Sequence, residues 1–316
     1  MADTFPKNFS IKEFANCFGI DPNELPSECH KLINQFNFRY RVLKEKERDQ
    51  TLLKIFKRVD QKEVNVAGEQ RLNDWDKGWN ENLQALINNG VEKSLIPKYI
   101  RAGLPLRYKG EFIQSADINF EYNWYTVYRQ WLATQVLQGF NSIFEFGSGS
   151  GHNLPYFARL TDAQQVIGLD WTSASVKIAN HLGTTTGLNI MGRPFNFFDP
   201  DYNLDVPENS AFITIWALEQ TGENYEAFLE FILTKKPALC VNIEPIVEFL
   251  DQDNIVDYSA HRCEKARSFL SGYLEALKYL EKEGKADILK IVNPRFGSLM
   301  VESYCQIIWR PKRPLL

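Results

Sequence analysis

Behind the short run Ser142-Ile143-Phe144-Glu145-Phe146 the chain reads Gly147-Ser148-Gly149-Ser150-Gly151-His152-Asn153. Three glycines at alternate positions let the backbone turn sharply and bring main-chain N–H groups close to a ligand at the start of a helix. A nicotinamide or flavin fingerprint needs G-x-G-x-x-G; here His152 stands at the last position and the third glycine comes one residue early. A P-loop would end in Gly-Lys-Ser/Thr, which is absent. By itself the Gly-Ser-Gly-Ser-Gly string also makes a flexible turn. What sets it apart is Glu145, an acid at the strand end that can face a ligand amine.

Further strand ends carry related groups. Val166-Ile167-Gly168-Leu169-Asp170 closes on an acid 19 residues beyond Gly151, near the offset of about 20 at which such folds place a carboxylate on ribose hydroxyls. Trp171 follows, placed to lie against an adenine ring. Asn196-Phe197-Phe198-Asp199-Pro200 offers an Asp for an exocyclic amine beside an apolar Phe. Trp216-Ala217-Leu218-Glu219 ends a further strand, where a carbonyl or acid would face the reacting end of a cofactor.

On these residues the chain from about Trp124 onward resembles a class I S-adenosylmethionine-dependent methyltransferase. The resemblance rests on the Glu145–Gly151 loop, Asp170, Asp199, Leu218-Glu219 and a closing pair of strands. It implies S-adenosyl-L-methionine as cofactor. Glu145, Gly147, Ser148, Gly149, Gly151 and Asn153 would lie under its methionyl part, Asp170 on ribose, Trp171, Phe198 and Asp199 around adenine, and Leu218 toward its reacting end. The first 120 residues match no module of that family.

Methyl transfer from a sulfonium is an in-line displacement in which alignment supplies much of the rate, so one base, or none, is needed. For a hydroxyl acceptor a His suits neutral pH best. Of the four histidines, His30 and His181 stand away from the strand ends and His152 opens the helix after the loop. His261 follows the fifth strand, at the edge where ligands bind. Glu244-Pro245 tips that strand, so Glu244, His261 and Arg262 form a candidate acid, base and anion clamp; alternatively Glu244 and Arg262 pair to hold the loop. Glu219 is a second candidate base. Arg107, Tyr122, Trp124 and Tyr125 could close the pocket or simply pack, and the Trp75, Trp79 and Trp124 group marks where an acceptor would be sought. No Asn/Asp-Pro-Pro-aromatic sequence, no Pro-Cys nucleophile and no divalent-metal cluster is present.

Positioning these residues requires alternating strands and helices. Strands are predicted at Ser142–Phe146, Gln165–Leu169, within Leu188–Phe198, and at Ser210–Leu218 and Ala238–Ile243. Helices fall between, one long helix carries the stripe Ala266 to Leu280, and two closing strands span Asp287–Val292 and Val301–Trp309. This is an α/β, Rossmann-like, seven-stranded, mostly parallel sheet with an antiparallel last strand. Residues 1–120 read as a helical N-terminal region that covers or shapes the acceptor pocket. They include a helical spacing from Pro26 to Arg58 and an ordered loop from Ile96 to Phe112. The methyltransferase domain spans 121–316.

At 316 residues, 44% hydrophobic and 24% charged, the chain is an ordinary folded protein. A net charge of −4 points away from a nucleic-acid partner. Five scattered cysteines fit reduced thiols, and the start, MADTFPKNF, has no apolar core of a leader. The reading is a cytoplasmic methyltransferase of a small-molecule acceptor, at oxygen before nitrogen or carbon, with no membrane partner. The rivals are a protein or RNA methyltransferase recruited by the N-terminal region, and a cofactor-binding scaffold. Oligomeric state is not legible.

Overall fold

The computed structural model describes residues 4–90 and 92–312; the first three residues of the start and the end of the closing Arg310–Pro314 segment lie outside them. Strand β1 (Lys7–Asn8) leads into α1 (Ile11–Phe18). A capping box starts this helix: the Glu13 N–H donates to Ser10 Oγ and the Ser10 N–H to the Glu13 carboxylate. There follow α2 (Ser27–Gln35), β2 (Arg39–Val42), α3 (Glu45–Asp60), α4 (Leu72–Asn89), β3 (Leu106–Tyr108), β4 (Glu111–Ser115) and α5 (Phe120–Trp131).

Two expectations for this half need correction. The helical spacing from Pro26 to Arg58 is interrupted by β2, and the 96–112 segment contains β3 and the start of β4, joined across Lys109-Gly110. Both stretches pair antiparallel, with Tyr40 opposite Ser115 and Leu106 opposite Ile113. Apolar and polar residues alternate over so few positions here that the period of two is masked by the turn residues around it.

The second half runs β5 (Ser142–Phe146), α6 (Leu154–Leu160), β6 (Gln165–Asp170), α7 (Ser173–Thr186), β7 (Ile190–Pro194), β8 (Ser210–Ile215), α8 (Glu226–Lys235), β9 (Leu239–Glu244), α9 (Ile255–Ala266), α10 (Tyr273–Lys282), β10 (Ala286–Val292), β11 (Phe296–Gly297) and β12 (Cys305–Pro311). Its seven strands lie in the order β10-β12-β9-β8-β5-β6-β7. β12 is antiparallel to both neighbours, as the sequence led us to expect. The single long helix expected around Ala266–Leu280 is instead the pair α9 and α10. The chain breaks between them at Ser268 and Gly272, both in the left-handed region.

Central strands are buried on both faces, which accounts for their continuous apolar runs. One face carries Ile143, Val166, Ile213 and Val241 into a core that also holds Phe14, Phe18 and Trp124. The other carries Phe144, Phe146, Phe212 and Cys240 against α8 and α10. The N-terminal region therefore shares a core with the large sheet. It also shares a second sheet, ordered β1-β2-β4-β3-β11, in which β11 from the far end of the chain pairs with β3. Among the described residues no helix is long and apolar enough to cross a membrane.

Candidate active site

The parallel strands end on one edge, and the turn after β5 is the tightest feature there. Gly147 and Gly149 sit at φ +71° and +51°, a region that costs an L-residue roughly 1–2 kcal/mol. A Cβ on Gly147 would lie 2.3 Å from that of Ala217 after β8, and one on Gly149 would lie 2.9 Å from the Trp79 indole. Glycine is thus demanded by both conformation and space. The loop is tied down from three sides. The N–H groups of Gly147 and Ser148 donate to the Leu169 carbonyl, the Gly149 N–H donates to Asp170, and the Asn153 amide donates to Glu145 at 2.6 Å. Tyr125 from α5 in turn donates to Asn153 Oδ1, fixing that amide's orientation.

A cavity opens above this loop, lined by Glu145, Gly147, Ser148, Gly149, Ser150, His152, Asn153, Asp170 and Trp171 from the strand edge. Phe195, Phe197, Phe198, Trp216, Ala217 and Thr221 complete its walls. Several polar atoms in the lining residues are buried without a partner: Glu145 Oε2, Ser148 Oγ, Ser150 Oγ and His152 Nε2. Burial pushes the Glu145 carboxyl up to about 8, and a cation brought to the unpartnered Oε2 would favour its ionised form. Asp170 accepts from Gly149 N, Thr172 N and Thr172 Oγ1. An ionised carboxylate has roughly four acceptor positions, which leaves room for one more donor, such as a single ribose hydroxyl. The residues present fit S-adenosylmethionine at its ammonium and ribose ends.

The N-terminal region supplies the roof. Trp75 and Trp79 on α4 stack with ring centroids 5.4 Å apart, and Tyr99 packs edge-on against both Trp79 and Trp216. Asp76 holds α4 down by accepting from the Ala174 N–H and Ser173 hydroxyl at the start of α7. With the roof in place about 70 Å³ of the cavity is free, far below the ~300 Å³ lower bound of small-molecule sites. The Trp79 ring lies over Gly149, on the space a nucleoside ligand would use.

Beyond Trp75, Tyr99, Trp216 and Gln220, which line both spaces, lies a second cavity of about 330 Å³. Its walls include Leu104, Phe269, Leu299 and Met300, with Glu121, Glu219, Arg58, Arg101 and Arg267 as charged groups. Trp216 reaches this position in the left-handed region, φ +53°, with its indole N–H donating to the Ser303 carbonyl. Glu219 opens toward the cavity on a short turn whose shape Glu244 dictates. Fully buried at the tip of β9, Glu244 accepts from the N–H groups of Ala217, Leu218 and Glu219. Burial pushes both carboxyls up; the Glu219 charge raises Glu244 further, whereas the contact with Glu244 partly offsets the rise at Glu219. The pair therefore titrates as a unit.

The expected cluster of Glu244, His261 and Arg262 is not formed. His261 and Arg262 lie on α9 and line neither cavity; His261 faces Tyr258, and Arg262 pairs with Asp60 at the surface. The helix starts earlier than the sequence suggested, at Ile255, and its winding carries these side chains away from the strand tips. Nor does Glu244 touch either cavity, its lone pairs being taken by backbone donors. Asp199 is exposed and Leu218 is buried in the core beside α8, and neither lines the cavity over the glycine loop; Phe197, Phe198 and Ala217 stand there instead. Gly151 lies in the same loop but outside the lining. Arg107 is fully buried, donating to the carbonyls of Val256 and Leu299 and to Ser259 Oγ. Trp124 is packed inside the core. Tyr99, Glu121, Gln220 and Arg267 are site residues the sequence did not single out.

No family model matches the chain and no curated protein matches it. Among solved structures, similar ones include an S-adenosylmethionine-dependent methyltransferase from Aquifex aeolicus, 18% identical over 58% of this chain and 92% of that one, TM-score 0.39. Another is an O-methyltransferase from a trans-AT polyketide synthase multienzyme of Brevibacillus brevis, in complex with S-adenosyl-L-homocysteine (13% identity, 60% and 72% coverage, TM-score 0.41). The cyclase SpnF is 14% identical over 78% of this chain and 97% of its own, TM-score 0.49. By its own strand order and antiparallel last strand, the chain has the Rossmann-like fold expected from the glycine loop.

Proposed function

We propose that the protein is an S-adenosylmethionine-dependent methyltransferase that acts on a small molecule. The observation that carries this reading is the orphaned Glu145 Oε2 in a cavity that also holds the glycine loop, Asp170 and Trp171. It offers an acid for an ammonium, an acceptor for a ribose hydroxyl and a ring for adenine. The cofactor would supply an electrophilic methyl on a sulfonium. Glu145 would bind its ammonium and Asp170 its ribose, while the Phe195–Phe198 wall and Trp171 exclude water from the adenine end. Trp75, Tyr99 and Trp216 stand between the two cavities and would orient an acceptor along the transfer axis. Closing that space raises the effective concentration of the aligned groups, which accounts for much of the rate in such transfers. Glu219, held by Glu244 at the acceptor side, would take the proton of a hydroxyl acceptor.

A 330 Å³ cavity walled by a mixture of aromatic, aliphatic and charged residues supports a small acceptor over a polymer. The test is turnover of methyl-labelled S-adenosylmethionine by the full chain on a small-molecule extract and, separately, on RNA and protein fractions. Label appearing in small molecules, and lost in Glu219→Gln, is expected. Label confined to RNA or protein, or no transfer in any fraction, would overturn the reading.

A further inference from the structure

The second cavity carries more information than its size. Arg267, at the C-terminal end of α9, reaches it with its guanidinium carbon 4.2 Å from the Phe269 ring centroid. Its Nε is buried and donates to nothing, and among the described residues no hydrogen bond or ion pair engages the side chain. Glu264, one turn earlier on the same helix, is also buried and also lacks a partner, so the two do not neutralise each other by contact. Leaving a buried donor of this kind unpaired costs about 1–3 kcal/mol, more for a charged group. A second buried donor without an acceptor, Trp75 Nε1, belongs to the wall shared with the cofactor cavity. Arg58 and Arg101 stand exposed at the rim.

Three guanidinium groups thus line this space together with Glu63, Glu121 and Glu219. Glu121 is pushed up to about 8 by burial, and Glu219 is likewise pushed up. Glu63 remains at the rim. Of the three guanidinium groups, Arg267 alone has a buried, unpartnered Nε, whereas Arg58 and Arg101 are exposed at the rim, so the enclosed part of the cavity offers one guanidinium as an anion seat.

Resting on the reading of this cavity as the acceptor site, we propose that the acceptor is a small monocarboxylic acid whose carboxylate seats on Arg267 and whose apolar body lies against Phe269, Leu299 and Met300. Planar, forked donors match a carboxylate in two parallel hydrogen bonds. The end opposite the carboxylate is then presented toward Trp216 and Glu219.

The test uses the full chain saturated with S-adenosyl-L-homocysteine and ligand-observed NMR. The probes are benzoate, phenylacetate and indole-3-acetate, each beside its neutral amide, with phenyl phosphate as the dianion. At least one acid should bind tenfold or more tightly than its amide, and this preference should vanish in Arg267→Met, which keeps an apolar stem against Phe269. S-adenosyl-L-homocysteine affinity should be the same in that variant, showing that it folds. Equal binding of acids and amides, preference for the phosphate, an acid preference that survives in Arg267→Met, or no acid binding at all would overturn the proposal. Failure of S-adenosyl-L-homocysteine to bind the unaltered chain would instead refute the underlying methyltransferase reading.

Discussion

Replacing Asp170 by Asn exchanges a carboxylate for an amide of the same shape at a point where three protein donors converge. One oxygen receives Thr172 N and Thr172 Oγ1 at 2.9 and 2.8 Å, and the other receives the Gly149 N–H at 2.9 Å. An amide offers one acceptor oxygen, so in either orientation its NH₂ group meets a donor. If it keeps the Thr172 pair, the Gly149 N–H is orphaned in a buried site. A hydrogen bond to a charged group contributes about 1.5–3 kcal/mol, so the variant should lose roughly that much stability in denaturant titration. The consequence for binding is separate. The glycine loop loses one of its three hydrogen bonds to β6, and the one acceptor position left for a ribose hydroxyl is gone. Calorimetric titration with S-adenosyl-L-homocysteine should show affinity reduced at least tenfold, about 1.4 kcal/mol. An Asn variant that binds within twofold of the parent would show that Asp170 faces no part of the ligand.

Gly147→Ala combines a left-handed φ with a 2.3 Å approach to Ala217. It should cost at least about 2 kcal/mol from strain and overpacking, read as a lower denaturation midpoint; an unchanged midpoint would contradict the loop geometry. Burial raises Glu121, Glu145 and Glu264 to about 8 and Glu302 to about 7. Because these folded values lie above the unfolded carboxyl value, their contribution is fully present below about pH 4.5 and is lost as pH rises through 7 to 8. Glu302→Gln should therefore flatten the pH 5–8.5 stability profile, and parallel profiles would refute this assignment. With about 70 Å³ free beneath the Trp79 ring, binding of S-adenosyl-L-homocysteine should change tryptophan emission. The change should shrink in Trp79→Phe, whereas an undiminished change there would place the moving indole elsewhere.

The large sheet was legible because its strands are buried on both faces and carry runs such as Ile143-Phe144 and Ile213-Thr214-Ile215. The small sheet was not, since β2 and β3 are only four and three residues long and their partners lie far away in sequence, β11 nearly 190 residues from β3. In the same way, Glu145, the glycine loop and Asp170 could be read because local spacing fixes their chemistry. Tyr99 and Arg267 could not: each enters the site from an irregular segment whose path is set by packing of α4 and by the break after α9. His261 shows the converse. Its residue type invited a catalytic role, but the winding of α9 turns it toward Tyr258.

Whether the cavity over the glycine loop holds S-adenosylmethionine is decided by calorimetry of the unaltered full chain. One-to-one binding of S-adenosyl-L-homocysteine and no binding of NADH are expected. Absence of S-adenosyl-L-homocysteine binding at millimolar concentration, or binding of NADH in its place, would contradict that assignment.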